Sequence, residues 1–196
     1  MGRQRGSTRR EFLLGAMLAS GGSALRRAAN AASADYVRTL ARYDVPDVTL
    51  TDMNGQTMNI RAALRNRGPV ILQFMYATCS GICPISSALL ADVQSSLSQE
   101  QADLRLWSVS IDPEADTPER LRLYAMALDA GPNWRFLTGR LDDIVALQEA
   151  FDAYRGNKMR HELLIFIRIQ SDHWVRLNGL VSASELAAEF RRAVRS

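Results

Sequence analysis

The two cysteines of the chain lie four positions apart, as Cys79 and Cys83. The apolar run Val70–Met75 precedes them, and a helix is predicted from Pro84, so the pair lies where a buried strand passes into a helix. At such a junction, unpaired backbone N–H groups and the positive end of the helix dipole favour the thiolate over the thiol. The pair is therefore expected to react with oxidants and with soft metal ions.

Three residues separate the two cysteines, and Gly81 among them gives the loop the freedom to turn both side chains the same way. When oxidised, the two sulfurs can close into a disulfide; when reduced, they can hold one metal ion between them. An inert stabilising disulfide is the alternative. Because the entropic gain of a disulfide grows with the length of the loop it closes, so short a loop would gain little stability. The spacing therefore favours a chemical role for Cys79 and Cys83.

A metal site needs at least a third ligand, and the chain has two histidines, His161 and His173. His161 directly precedes an apolar strand predicted at Leu163–Ile169, and in a thioredoxin-like domain the loop that enters this hairpin passes beside the cysteine pair. His173 lies at the far end of the same strand, about 20 Å away at ~3.3 Å per residue. We therefore predict His161 as the third ligand, with a surface or capping role as the alternative, and His173 as a solvated turn residue.

The predicted ligands also indicate the metal. Two thiolates and one imidazole are soft and borderline donors that suit copper in either oxidation state. Zinc usually takes a fourth ligand, which water could supply. Copper is therefore the metal favoured for Cys79, Cys83 and His161.

The elements that must position these residues alternate between short strands and amphipathic helices. Asn54-Gly55 is typical of a tight hairpin turn, and Ser182–Glu185 is typical of a capping box. We expect one α/β domain with a thioredoxin-like fold, in which helices flank a mixed central sheet with an N-terminal β-hairpin. The predicted strands are Val48–Thr51, Thr57–Ile60, Val70–Met75, Leu104–Ile111, Trp134–Leu137, Leu163–Ile169 and Trp174–Leu177, and the predicted helices are Arg61–Arg67, Pro84–Leu97, one capped by Asp116–Glu119 that ends near Leu128, Leu141–Tyr154, and one that begins after Ser182.

The first 34 residues differ from the rest in charge. They carry six of the 24 basic side chains and one of the 21 acidic ones, so the remaining chain has a small acidic excess. Because the basic excess is confined to this segment, the body has no basic patch of the kind that binds nucleic acid.

The same segment has the features of an export signal. Ser7–Leu13 contains an arginine pair followed by phenylalanine and leucine, which resembles the twin-arginine signature. The apolar run Phe12–Leu25 is shorter than the ~20 residues that cross a bilayer as a helix, and small residues follow it. We predict an export signal over residues 1–34 and a periplasmic or otherwise exported domain over residues 35–196, soluble or tethered to the membrane by an uncleaved leader. A basic tail with a short amphipathic helix is the alternative.

Four segments together resemble the SCO/SenC family, thioredoxin-fold copper-binding proteins associated with assembly of the CuA centre of cytochrome c oxidase. They are Val45–Asp52 with Asn54-Gly55, Phe74–Pro84, Ser108–Pro113 with Asp116–Pro118, and Trp134–Gly139. The resemblance implies bound copper and places the family's metal ligands on Cys79, Cys83 and His161. It also implies a client apoprotein, with the oxidase subunit that carries CuA as the expected one.

Other positions in the resemblance carry less chemistry. Asp112 and Asp116 match the family pattern, and they either shape the site and client surface or serve as a turn and a helix cap. Ser80, Arg160 and Glu162 stand where the family often has proline, aspartate and serine. These departures indicate a divergent branch of the family.

Two functions from different classes follow from these residues. The leading hypothesis is a copper metallochaperone that binds one ion through Cys79, Cys83 and His161 and releases it to a client. The alternative is an enzyme, a thiol–disulfide oxidoreductase in which Cys79 attacks a client disulfide and Cys83 resolves the intermediate. A redox or copper sensor that transfers no metal is a third option.

Overall fold

The computed structural model describes residues 35–65, 68–97, 100, 104–170 and 172–195. The predicted export signal at residues 1–34 lies outside the described residues. Within the described ranges, no helix is long and apolar enough to cross a membrane.

Strands and helices alternate along most of the described chain. The strands are β1 (Tyr36–Arg42), β2 (Thr49–Asp52), β3 (Thr57–Asn59), β4 (Val70–Met75), β5 (Arg105–Ser110), β6 (Trp134–Thr138), β7 (Leu164–Gln170) and β8 (His173–Gly179). The helices are α1 (Ile60–Arg65), α2 (Ile82–Leu97), α3 (Pro118–Ala127), α4 (Leu141–Ala150) and α5 (Ala183–Arg195), and Lys158–Arg160 form one 3₁₀ turn.

The described strands form one mixed sheet in the order β1-β8-β7-β4-β5-β6-β2-β3. Strands β4, β5 and β6 run parallel, and the other pairings are antiparallel. Helices pack on both faces of the sheet. The sheet therefore divides the core into two apolar clusters, one on each face. The predicted fold class, a mixed central sheet flanked by helices, is confirmed.

Strand β4 lies at the centre of the sheet, between β7 and β5, and all six of its residues are buried. Ile71 and Met75 contribute to the core on one face, while Leu72 and Phe74 contribute to the core on the other. A continuous apolar run is the expected sequence of such a strand. Burial on both faces gives the loop that follows β4 a rigid base.

The predicted N-terminal hairpin is present as β2 and β3, paired from Thr49 opposite Asn59. Its turn contains Gly55 at φ +80°, in the left-handed region that glycine adopts without strain. The carboxylate of Asp52 accepts the amide N–H groups of Asn54 and Gln56, both at 2.9 Å. The turn is thus stabilised by both its backbone and its side chains.

Strand β1 was not predicted, and helix α4 is shorter than predicted. Residues of β1 pair along the whole of β8, but most of its side chains are exposed, so its sequence shows little burial pattern. Helix α4 ends at Ala150 because Asp152 takes a left-handed backbone at φ +50°. Phe151 lies just after the end of the helix and is fully buried. Its apolar side chain therefore continues the helical pattern of the sequence past Ala150.

Candidate metal centre

Three loops meet at one end of the central strands, where β4 and β5 finish and β7 begins. The cysteine loop (residues 76–81) follows β4, the acidic loop (residues 111–117) follows β5, and the histidine loop (residues 155–162) comes just before β7. The parallel register of β4 and β5, with Met75 opposite Ser110, brings the first two together. The antiparallel register of β4 and β7, with Gln73 opposite Ile165, brings the start of β7 to the same end.

The cysteine loop places its two sulfurs side by side. The backbone N–H of Cys79 donates to the carbonyl of Tyr76 at 3.1 Å, which closes a turn directly after the strand. Cys83 lies in the first turn of α2 and is fully buried, whereas Cys79 is half-buried. Both residues are free thiols, and they hydrogen-bond to each other. Cys79 is thus the more accessible of the two, as the attacking cysteine of the oxidoreductase hypothesis would need to be.

The surroundings of Cys79 favour its thiolate. Burial raises the pKa of Cys79, but hydrogen bonds lower it by more. These come from the backbone and thiol of Cys83, the backbone of Gly81 and the hydroxyl of Tyr76, so the pKa lies below its usual value. This is the electrostatic arrangement expected of a reactive cysteine at the start of a helix.

The buried partner behaves in the opposite way. Burial, with smaller contributions from the nearby Cys79 and Asp116, raises the pKa of Cys83 to about 12, although a hydrogen bond with the backbone of Tyr76 opposes the shift. Burial and the neighbouring sulfurs also raise the pKa of Tyr76 to about 12, so its hydroxyl remains a hydrogen-bond donor at neutral pH. The pair therefore combines one thiol whose pKa lies below its usual value with one whose pKa lies well above it.

The pKa difference predicts selective alkylation. In the reduced protein at pH 7, iodoacetamide is expected to modify Cys79 at least about 100-fold faster than Cys83, because only thiolates react. Mass spectrometry after short pulses between pH 6 and pH 9 measures both rates. Tyr76→Phe removes a hydrogen bond to the Cys79 sulfur, so the midpoint of its alkylation should move to higher pH. Equal rates at the two cysteines would contradict this assignment.

The acidic loop is hydrogen-bonded to the cysteine loop. One carboxylate oxygen of the fully buried Asp116 accepts the backbone N–H of Ala77 at 2.9 Å and the hydroxyl of Ser110 at 2.6 Å. The cap of α3 is instead Thr117, whose side chain accepts the N–H of Arg120. Asp116 thus links the end of β5 to the loop that carries Cys79.

The histidine loop is fastened at two places. At its base, the guanidinium of Arg155 donates to both carboxylate oxygens of Glu162, each at 3.1 Å. Near its tip, Lys158 forms an ion pair with Asp112 at 2.6 Å, and its ammonium lies 5.6 Å from the centroid of the Tyr76 ring. The first contact closes the base of the loop, and the second holds its tip against the acidic loop and the ring of Tyr76.

His161 itself turns towards the sheet. Burial lowers its pKa, while Glu162 and a hydrogen bond with the backbone of Phe74 oppose this shift, so the imidazole is neutral at pH 7. It also lines a cavity of about 250 Å³ together with Ile111, Tyr154 and Lys158. A neutral imidazole is the form that binds metal.

The structure brings two of the three predicted ligands together. Cys79 and Cys83 are in contact, and His161 lies in the neighbouring loop. Among the described residues, no group of three or more His, Cys, Asp and Glu side chains is placed to hold a metal ion. Coordination by all three would therefore require the histidine loop to move, and Gly156, at φ +71° with open space around it, lies within that loop. His173 is exposed at the start of β8 and contacts Asp172, as predicted for a solvated residue.

Sequence reasoning missed three residues that connect the two loops: Tyr76, Lys158 and Met159. The hydroxyl oxygen of Tyr76 lies 3.7 Å from the thioether sulfur of Met159, to which it donates, and within hydrogen-bond reach of the sulfur of Cys79; its single proton serves one sulfur at a time, and it goes to Cys79 when that sulfur is a thiolate. Tyr76 reads as the last residue of an apolar strand, and Met159 stands in an irregular loop. Met159 lies two residues before His161, and Tyr76 lies three residues before Cys79. This closeness to the predicted ligands is the one signal in the sequence that could have identified them.

A family model described as SCO1/SenC matches residues 41–194, which is most of the chain. The chain belongs to the SCO1/SenC family. This confirms the family predicted from the cysteine motif and the acidic loop.

Individual relatives of this SCO1/SenC chain are distant. It is 32% identical over 111 residues to the SCO1 protein homolog of Bacillus subtilis (strain 168), a match that covers 56% of each protein. The chain thus spans little more than half the length of the curated relatives it matches.

Solved structures share its fold. BsSco, described as a member of the Sco family of cytochrome c oxidase assembly proteins with a disulfide switch, has a TM-score of 0.67 at 23% identity, over 80% of this chain and 96% of that one. Bradyrhizobium japonicum ScoI with copper bound has a TM-score of 0.62 at 23% identity, over 79% of this chain and 98% of that one. The neighbours support the fold class, and copper, the metal predicted from the sequence, is bound in one of them.

The donor atoms of this SCO1/SenC chain fit copper. The paired sulfurs of Cys79 and Cys83 are soft ligands, one of them with a lowered pKa, and a neutral imidazole lies in the next loop. Such a set suits copper(I) well and copper(II) adequately. These residues could hold the ion.

Proposed function

We propose that the protein is a copper metallochaperone that acts on an exported or membrane-bound client, with the CuA site of cytochrome c oxidase as the expected destination. The observation that carries the proposal is the contact between the half-buried Cys79, whose pKa is lowered, and the buried Cys83, next to the histidine loop. The membership of the chain in the SCO1/SenC family and the copper bound in a neighbour of the same fold support it. We also propose that residues 1–34 direct export.

In this proposal Cys79 and Cys83 hold the ion and His161 completes the site. Cys79 is the more accessible ligand and meets the ion first, because it is only half-buried and its pKa is lowered. Cys83 loses its proton on binding, since a sulfur must be deprotonated to ligate strongly and its pKa in the free protein is about 12. His161 joins when it leaves its contact with the backbone of Phe74.

A cargo site must also release its ion. The three ligands lie on two loops, of which the histidine loop is fastened mainly by side chains, namely Arg155 with Glu162 and Lys158 with Asp112. Such contacts at a partly exposed surface stabilise only weakly, typically by about 1 kcal/mol or less. A client that competes for the ion can therefore displace the histidine loop without unfolding the domain.

A copper titration tests the proposal. The reduced protein is expected to bind about one copper(I) ion per chain in competition with a chromophoric chelator, and protein oxidised with diamide is expected to bind none, since disulfide sulfurs are poor ligands. His161→Ala should weaken binding while leaving disulfide formation intact, and His173→Ala is the matched control because His173 is exposed and distant. Equal copper binding by the reduced and oxidised forms would refute the proposal.

One observation favours a second function, a thiol–disulfide oxidoreductase. Cys79 is accessible with a lowered pKa and Cys83 is buried with a raised pKa, the division of roles needed for attack and resolution. The Cys79 thiolate would attack a client disulfide and release one client thiolate, and Cys83 would then displace the other and close the Cys79–Cys83 disulfide. Rapid turnover of a dithiol–disulfide substrate that is unaffected by His161→Ala would favour this function.

A further inference from the structure

A third sulfur lies beside the tyrosine of the cysteine loop. Met159 lies in the histidine loop and is 75% exposed, which is unusual for an apolar side chain of its size. Its sulfur lies 3.7 Å from the hydroxyl oxygen of Tyr76, which donates to it, and the sulfur of Cys79 is within hydrogen-bond reach of the same hydroxyl, whose single proton serves one sulfur at a time. The sulfurs of Met159 and Cys79 are thus both within reach of one oxygen atom.

Two contacts keep Met159 in this place. Its backbone N–H donates to the side-chain oxygen of Asn157 at 2.8 Å, which forms the cap of the 3₁₀ turn. The preceding residue, Lys158, is bound to Asp112 and lies over the Tyr76 ring. These contacts fasten the backbone at Lys158 and Met159. The thioether of Met159 lies against Tyr76 of the cysteine loop. The imidazole of His161, by contrast, faces the backbone of Phe74.

From this geometry we propose that Met159 is a copper(I) ligand that joins Cys79 and Cys83 on the exposed side of the site. This inference rests on the proposed copper function and deepens it. A thioether is a neutral, soft donor that favours copper(I) over copper(II) and zinc. Met159 therefore makes the site selective for copper(I), and His161 serves both oxidation states.

The test compares Met159→Leu with Met126→Leu. Leucine keeps the size and apolar character of methionine but cannot ligate, and Met126 is an equally exposed methionine, 69% accessible, on helix α3. We expect Met159→Leu to lower the copper(I) affinity about 10-fold, at the lower end of what the loss of a supporting contact costs a metal site. Its copper(II) affinity and that of Met126→Leu for either ion should stay within about 2-fold of the unmodified protein.

A structural readout separates ligation from loop packing. X-ray absorption of the copper(I) protein is expected to show three sulfur neighbours, and two in Met159→Leu. An unchanged sulfur count or an unchanged copper(I) affinity in Met159→Leu would overturn the inference. If the unmodified protein failed to bind copper at all, the proposed function itself would fail, which is a different result from a silent Met159→Leu in a protein that binds copper.

Discussion

Replacing Cys83 by serine is expected to lower the copper(I) affinity by about 1000-fold or more, since even changes outside the ligand shell commonly cost 10–100-fold. Cys83 is fully buried in the first turn of α2, and serine differs from it only by oxygen in place of sulfur. A hydroxyl is a poor ligand for copper(I), so one thiolate would remain to bind the ion. Competition with a chromophoric chelator measures the affinity, and circular dichroism checks the fold.

The matched control for this prediction is Ser86→Ala. Ser86 is buried in the same helix, and its hydroxyl donates to the carbonyl of Cys83 at 3.0 Å. Its loss perturbs the helix next to the site but leaves both sulfurs in place, so copper binding should change by less than about 5-fold. A folded Cys83→Ser protein that binds copper(I) as tightly as the unmodified one would show that the two thiols do not form the site.

The same variant separates the two candidate functions. In an oxidoreductase, Cys79 of Cys83→Ser would still attack a client disulfide, but no second thiol could resolve the intermediate. A stable mixed disulfide with Cys79 would then accumulate and appear on a non-reducing gel. A metallochaperone without reductase activity would lose copper and form no such adduct.

Sequence reasoning located the cysteine pair well because strong local signals surround it. The six apolar residues of β4 require burial on both faces, and Pro84 suits a first helical turn, so the junction between strand and helix is encoded within about fifteen residues. The relative exposure of Cys79 and Cys83 follows from that junction, because Cys79 lies in the loop after β4 whereas Cys83 lies in the first turn of α2 and is buried in the core.

The orientation of His161 could not be predicted in the same way. It depends on ion pairs of the histidine loop, one of which joins Lys158 to Asp112, 46 residues away along the chain. The other joins Arg155 to Glu162, and Glu162 is one of the positions at which the sequence departs from the family pattern. Side-chain pairs of this kind leave no periodic signal, so the sequence predicts that the histidine loop comes near the cysteines but not which side chain faces them.

Strand β1, at the edge of the sheet, could not be predicted from the sequence either. Strand β1 is held by backbone pairing with β8, and Val37 and Leu40 remain mostly exposed on it. Backbone hydrogen bonds do not depend on side-chain type, so an edge strand needs no alternation of apolar and polar residues. The hairpin of β2 and β3, by contrast, was predictable because Asn54-Gly55 determines its turn.

Asp116→Ala is expected to reduce the free energy of unfolding by about 3 kcal/mol, because it leaves buried hydrogen-bond donors without an acceptor, at about 1–3 kcal/mol each. The carboxylate accepts both the N–H of Ala77 and the hydroxyl of Ser110. For a domain of this size the loss corresponds to a decrease in Tm of about 6–12 °C. Thermal unfolding followed by circular dichroism measures it.

Glu114→Ala is the matched control for Asp116→Ala. Glu114 is an exposed carboxylate in the same acidic loop, so its removal changes the charge without removing a buried acceptor, and Tm should change by no more than about 2 °C. Asp116 also raises the pKa of Cys83, so its loss should make Cys83 more acidic as well as more accessible. Alkylation of Cys83 at pH 8 should then be faster in Asp116→Ala than in Glu114→Ala. If Asp116→Ala had the same Tm and the same Cys83 alkylation rate as the control, Asp116 would not be what holds the cysteine loop to the sheet.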